Sequence, residues 1–163
     1  MAETTGGFSS LGLERESAAL ELSSLSMNES LEIGGIALGI GIQRGLPIAI
    51  EVHLGSWVVF HASLPGSMAK NDSWIARKAR VVLATGNSTM FERVWAEEAE
   101  LDWYEFKGLP EDSYAIHGGG VPLNVKGLGH VGTLLISGLP QVDDHLLCIE
   151  VISEFLARKG ELL

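Results

Sequence analysis

The 163-residue chain has a single cysteine, Cys148. One thiol cannot build an intramolecular disulfide framework or a zinc site based on cysteines. Positive charge is scarce too: 11 Lys plus Arg stand against 21 Asp plus Glu, a formal net charge of -10. Such a surface repels phosphate backbones and anionic lipid, so nucleic acid is not an expected partner. Long hydrophobic runs are missing as well. The most apolar stretch, Ile33 to Ile42, has about half the ~20 residues a bilayer span needs, so it is expected as a core helix and no membrane is expected as a partner. The first twenty residues lack a basic segment followed by an apolar one, so no signal peptide is read, and with the lone thiol this points to a cytoplasmic location. Neither a P-loop nor a Gly-x-Ser-x-Gly elbow occurs, and the glycine triplet after His117 does not match G-x-G-x-x-G, which disfavours a P-loop nucleotide site and a serine hydrolase.

What is present is core-forming material, 46% hydrophobic in all, enough for one ordinary domain. Residues 1–10, rich in Gly, Ser and Thr, read as a flexible tail, and 11–163 as the domain. Leu11, Ala18, Leu22 and Leu25 fall at helical spacing. Ser26 followed by Glu29 is a capping-box signal for a second helix ending near Arg44, with Gly45 as its stop. The glycines in that helix weaken it by about 0.5–1 kcal/mol each, so close packing must compensate.

Leu46 to Leu54 and Trp57 to Ala62 alternate as strands around a two-residue Gly55-Ser56 turn. The expected register pairs Leu54 with Trp57, Val52 with Val59 and Ile50 with His61. That places His61 on the apolar face and leaves His53 beside Glu51 on the other. Asn71 or Asp72 is expected to cap a helix from Ser73 to about Ala84. On its wheel Lys78 falls inside the apolar arc of Trp74, Ile75, Val81 and Val82, while Arg77 and Arg80 fall outside. A helix over 88–99 and an irregular connection over 103–113 follow. A second hairpin turns at Gly127 to Gly129, and a last helix starts near Pro140 and stops at Gly160. Asp143 lies on that helix's narrow polar stripe; Asp144 and His145 lie among its apolar residues.

The blocks NDSWIARK, YAIHGG, VPLNV and GTLLISGLPQVDDH resemble the UPF0303 family, related to the GlcG/HbpS-like proteins that carry the label "haem-degrading domain". The resemblance runs from about Glu32 to Phe155. It implies an α+β, profilin-like three-layer α/β/α fold, with an antiparallel sheet of about five strands flanked by helices, assembling as a homodimer or larger homo-oligomer. The derived order of helices, hairpin, helices, hairpin, helix agrees with that class. The resemblance also singles out Asn71, Asp72, Trp74, Arg77, Lys78, Tyr114, His117, Gly118, Gly119, Pro122, Ser137, Gly138, Asp144 and His145. The segment Thr85 to Met90, ATGNSTM, departs from the family's usual basic-aromatic-Gly pattern.

Each candidate has two readings. His117 before three glycines either faces a nest of backbone N–H groups suited to an anion or sits in a loop that only turns the chain. Asp144 and His145 either join His117 around a metal or serve as a helix-start acid and a hydrogen-bonded core histidine. Lys78 is an anion clamp or a snorkelling stem. Trp74 and Tyr114 are aromatic walls for a planar ligand or ordinary packing, and His53 and His61 read as structural. Three functions follow: an oligomeric protein binding a small anionic or planar ligand, with haem or another tetrapyrrole as candidate cofactor; a homo-oligomeric scaffold without catalysis; and a metal-assisted enzyme acting on a small organic acid. The first requires His117, Lys78, Asp144 and His145 to converge on one cleft.

Overall fold

The computed structural model describes residues 3–162. Two helices open the chain, α1 (Ser10–Ala19) and α2 (Met27–Arg44), followed by the hairpin β1 (Ala49–Leu54) and β2 (Trp57–Ser63). Three more helices come next, α3 (Ala69–Thr85), α4 (Thr89–Glu98) and the short α5 (Trp103–Lys107). The second hairpin, β3 (Gly120–Val125) and β4 (Gly129–Ser137), leads into α6 (Gln141–Arg158). The strands form one antiparallel sheet in the order β2-β1-β4-β3.

Strand alternation assigns the two faces. Ile48, Ile50, Val52, Leu134 and Ile136 point toward α2 and α6, where they meet Ile33, Ile36, Val151, Ile152 and Phe155 in the main core. Ala49 and Leu135 point the other way, onto Ile75 of α3. Each such Ile, Leu or Phe, fully removed from water, contributes roughly 1.5–3 kcal/mol. The glycines of α2 serve this packing. A Cβ on Gly34 would overlap the Phe60 ring, and one on Gly41 would come within 2.6 Å of Leu64.

Local signals hold at the helix ends. Ser26 and Glu29 form the expected capping box, and Gly45 closes α2 in the left-handed conformation at φ 64°. Helix α1, however, stops at Ala19 instead of continuing to Leu25. Leu22 then makes one parallel bridge to Val125, exchanging hydrogen bonds with Asn124 and Lys126 at 2.8 and 2.9 Å. Between α1 and α2 only Leu22 bridges to the sheet, so the sheet has four strands where about five were expected. Residues 103–113, expected as irregular, include α5, whose first turn Asp102 caps through Glu105 N–H. Asn71 is not a cap but the third residue of α3, accepting from Met68 N–H at 2.8 Å.

The first hairpin departs in register. Leu54 pairs with Trp57 as expected, but a bulge at Val59 pairs Val52 with Phe60 and Glu51 with His61. One extra residue flips every side chain beyond it. His61 therefore leaves the apolar face and joins Glu51. The segment read as a flexible tail also differs from residue 4 onward. Thr5 donates from its backbone and hydroxyl to Glu97 at 2.8 and 2.7 Å, and Phe8 packs with Met90 and Val94. Residues 1 and 2 lie outside the described part.

Candidate functional site

Lys70, Trp74 and Lys78 are spaced four apart on α3 and so share one stripe of the helix. That stripe faces the place where β4 ends at Ser137-Gly138 and the chain enters α6. Together with Asn71, His117, Leu139, Gln141 and Asp144, these residues line a pocket of about 270 Å³.

Its floor is a buried ion pair. Lys78 donates to the Ile136 carbonyl at 2.9 Å and to Asp144 Oδ2 at 3.2 Å, and both side chains are only 3% exposed. Asp144 Oδ1 accepts the Leu139 N–H at 3.1 Å. Burial pulls the Lys78 ammonium below its ordinary range and pushes the Asp144 carboxyl above its own, each opposed by the partner's charge. The two meet at the end of the β3–β4 ladder because Gly119 leaves room. At φ 122°, its missing Cβ would press on the Ile136 carbonyl oxygen and come within 2.7 Å of Lys78 Nζ. Asn71 Nδ2 donates to Ser137 Oγ at 3.2 Å along one wall.

His117 forms the other wall. Its ring meets Trp74 nearly edge-on at 4.6 Å between centroids, and the Arg77 guanidinium lies 4.4 Å over that same Trp74 ring. The buried Nδ1 of His117 has no hydrogen-bond partner among the described residues. Burial, then the charges of Arg93, Lys78 and Arg77, pull the imidazole down to about 4. It is neutral at physiological pH, the form that accepts a hydrogen bond or ligates a metal.

The required convergence is met in part. His117, Lys78, Asp144, Trp74 and Ser137 share the pocket, whereas His145 does not line it. Neighbouring helix residues point about 100° apart. Asp144 thus reaches Lys78, while His145 turns to α1, where Nε2 lies 2.9 Å from Glu16 Oε1 and the ring meets Phe8 at 5.5 Å. A metal held jointly by His117 and His145 does not fit this placement. Tyr114 packs outside the pocket in the small core that holds Trp103, Tyr104 and Ile116. Arg77 reaches the site only through Trp74, its Nη2 donating to the Glu111 carbonyl.

The glycine run is not an open nest either. Gly118 N–H donates to Gln141 Oε1 at 3.2 Å and Gly120 N–H to Thr89 Oγ1 at 3.1 Å. Lys70 and Gln141 were not anticipated. The four-residue spacing from Lys70 to Trp74 to Lys78 is the sequence signal that could have found the lysine. A somewhat larger groove of about 340 Å³ runs along α1 past Ser88 and Asn124. It holds no comparable set of buried polar groups.

A four-stranded antiparallel sheet with helices on both faces, and a polar pocket where the last strand enters the last helix, places the chain among small α+β domains. The chain belongs to the family described as haem degrading protein HbpS-like, whose model matches residues 25–153. It is 37% identical over 146 residues to a UPF0303 protein of Streptomyces avermitilis, covering 90% of both chains. It is 36% identical over 155 residues to a UPF0303 protein of Rhizobium leguminosarum, covering 93% of this chain and 91% of that one. Among solved structures, Ybr137w superposes with a TM-score of 0.83 at 25% identity, over 91% of this chain and 88% of its own. HbpS, at 0.63 and 16% over 83% and 92%, and PduOC in its haem complex, at 0.67 and 18% over 79% and 93%, share the fold. No helix among the described residues is long and apolar enough to cross a membrane.

Proposed function

We propose that this protein binds a small carboxylate-bearing ligand in the Lys78–Asp144–His117 pocket, and that haem is the specific ligand. The observation that carries this reading is His117, a half-buried imidazole kept neutral, with a buried nitrogen that has no partner among the described residues. A buried donor or acceptor without a partner costs about 1–3 kcal/mol, a cost a bound group can remove.

At about 270 Å³ the pocket lies near the lower end of the roughly 300–1,000 Å³ typical of ligand sites. It can enclose one edge of a tetrapyrrole, not the whole ring. His117 would hold the iron, Trp74 would lie against the macrocycle, and Lys70, which lines the rim, would meet a propionate. Bound haem would supply a redox-active iron. The chain's own residues would orient it and hold one imidazole unprotonated. The family description and the haem complex of PduOC support the choice.

Self-association, a cytoplasmic location and a profilin-like assignment belong to the same proposal. The first draws on β2, an edge strand whose Trp57 and Val58 are 65% and 44% exposed; unpaired strand edges invite pairing. A scaffold without a ligand would leave the His117 nitrogen unexplained.

The test is titration with haemin while following the Soret band. Micromolar haemin is expected to shift the band in the wild type, and His117→Ala is expected to abolish the shift while keeping its circular dichroism spectrum. Metal-free protoporphyrin should bind more weakly and without dependence on His117. An unshifted wild-type band, or an unchanged response in the variant, refutes the haem assignment.

A further inference from the structure

Away from the pocket, the bulge in the first hairpin assembles a second cluster. Glu51 and His61 face each other across β1 and β2, and Asp72, on the first turn of α3, closes the group. One donor atom from each of the three lies within 4.8 Å of the others. Glu51 Oε2 is 2.9 Å from His61 Nδ1, and the opposite nitrogen of that ring lies 3.1 Å from Ser63 Oγ. Behind them, His53 Nε2 donates to Glu51 Oε1 at 2.7 Å and is itself buried.

We propose that Glu51, His61 and Asp72 form a binding site for one divalent transition-metal ion such as Zn²⁺. The donor chemistry selects the ion class. An imidazole nitrogen with two carboxylates suits Zn²⁺ and its first-row neighbours, whereas Ca²⁺ and Mg²⁺ prefer oxygen throughout. The charges also close: two carboxylates and one divalent ion sum to zero on the protein's outer face. Metal–ligand bonds of about 2.0–2.2 Å need donors slightly more than 3 Å apart, which the exposed His61 and Asp72 can reach by rotamer adjustment.

The surroundings fit a metal site beyond the three donors. His53 supplies the outer hydrogen bond that orients a ligating carboxylate, and Ser63 can accept from Nε2 and so leave Nδ1 of His61 free to ligate. The bulge is the structural cause of the site. In the unbulged register His61 would point into the core, and bulges recur where a strand re-aims a functional side chain. With three protein donors, the remaining coordination positions fall to water or an added ligand.

Isothermal titration of the chelator-treated full chain with Zn²⁺ tests this. One ion per chain at micromolar affinity is expected, weakened at least tenfold in Asp72→Asn and His61→Gln. His53→Gln, which removes a positioning residue, should weaken it about 10–100-fold. His117→Ala should bind like the wild type, which separates this site from the pocket. Asp72 is exposed, so Asp72→Asn keeps the fold and carries the test if another variant does not. Absence of saturable one-to-one uptake, wild-type affinity in Asp72→Asn, or loss of binding in His117→Ala overturns the assignment.

Discussion

Removing one partner of the Lys78–Asp144 pair should cost far more than removing both. At 3.2 Å and an effective dielectric near 20, their attraction is about 5 kcal/mol, set against several kcal/mol of desolvation per ion. Lys78→Met leaves Asp144 with the Leu139 N–H and an unpaired buried charge. Protonation caps the damage, because neutralising an ordinary Asp at pH 7 costs about 4 kcal/mol. We expect about 3 kcal/mol, since that backbone hydrogen bond survives. Asp144→Asn leaves the ammonium with only the Ile136 carbonyl. Deprotonating it at pH 7 costs about 4.6 kcal/mol, so a loss of about 3–4 kcal/mol is expected. The double variant holds neither charge and should lose only about 1–2 kcal/mol, from an unsatisfied carbonyl and altered packing. Urea denaturation of all four proteins at pH 7, with unchanged m-values, gives the coupling energy. A coupling of at least about 2 kcal/mol is expected. Additivity within about 0.5 kcal/mol would show that the pair does not act as a buried ion pair, and the reasoning about the pocket floor would fail.

Two further outcomes follow from the same region. Gly119→Ala forces a Cβ against the Ile136 carbonyl, Lys78 Nζ and the Asp144 side chain at φ 122°, so a thermal or urea melt should show a loss of about 2–4 kcal/mol from backbone strain plus overpacking; a loss below about 0.5 kcal/mol would contradict this packing. For His117, burial and the nearby cationic charges pull the folded pKa to about 4 from an ordinary 6.5. The unfolded chain therefore binds more protons between those values, and stability falls as pH drops from about 6.5 to 4, with the penalty complete below that. Discounted for solvent at a half-exposed ring, this amounts to roughly 1–2 kcal/mol. His117→Asn should lack that share of the acid slope, and identical pH profiles for the two proteins would refute it.

The long helices after α1 and the hairpin turns were legible because their signals are local, whereas the short α5 was not. Ser26 and Glu29 cap α2, Gly45 stops it, and the 100° wheel put Lys78, Asp144 and His145 among apolar residues, where they are indeed buried. The bulge at Val59 was not legible. Alternation and a two-residue turn predict continuous pairing, and the insertion is settled by how β2 packs on α2, with Phe60 lying against Gly34. The site was half legible for a similar reason. Wheel position shows that Asp144 and His145 both leave the solvated stripe, but not which neighbour each meets. Lys78 draws one to the sheet end, and Glu16 with Phe8 draws the other to α1. Residues 3–10 looked like a tail because their composition is that of a linker. Their order comes from Glu97 and Glu98 of α4, about ninety positions away.

Stability alone does not account for the pocket. A buried Lys–Asp pair can usually be replaced by apolar residues of similar volume at no loss, or with a gain. Here the pair sits beside a neutral imidazole with an unsatisfied nitrogen and is reached by the stripe Lys70–Trp74–Lys78. Each of these features is a cost to folding that a bound carboxylate or metal would offset. The first turn of α3 ties this region to the hairpin cluster. Asn71 holds Ser137 at the pocket wall, while Asp72, one residue on and about 100° round the helix, joins Glu51 and His61. A single helical turn thus fixes one wall of the pocket and one donor of the cation cluster, so an ion that immobilised Asp72 would also stiffen the residue beside it that lines the pocket.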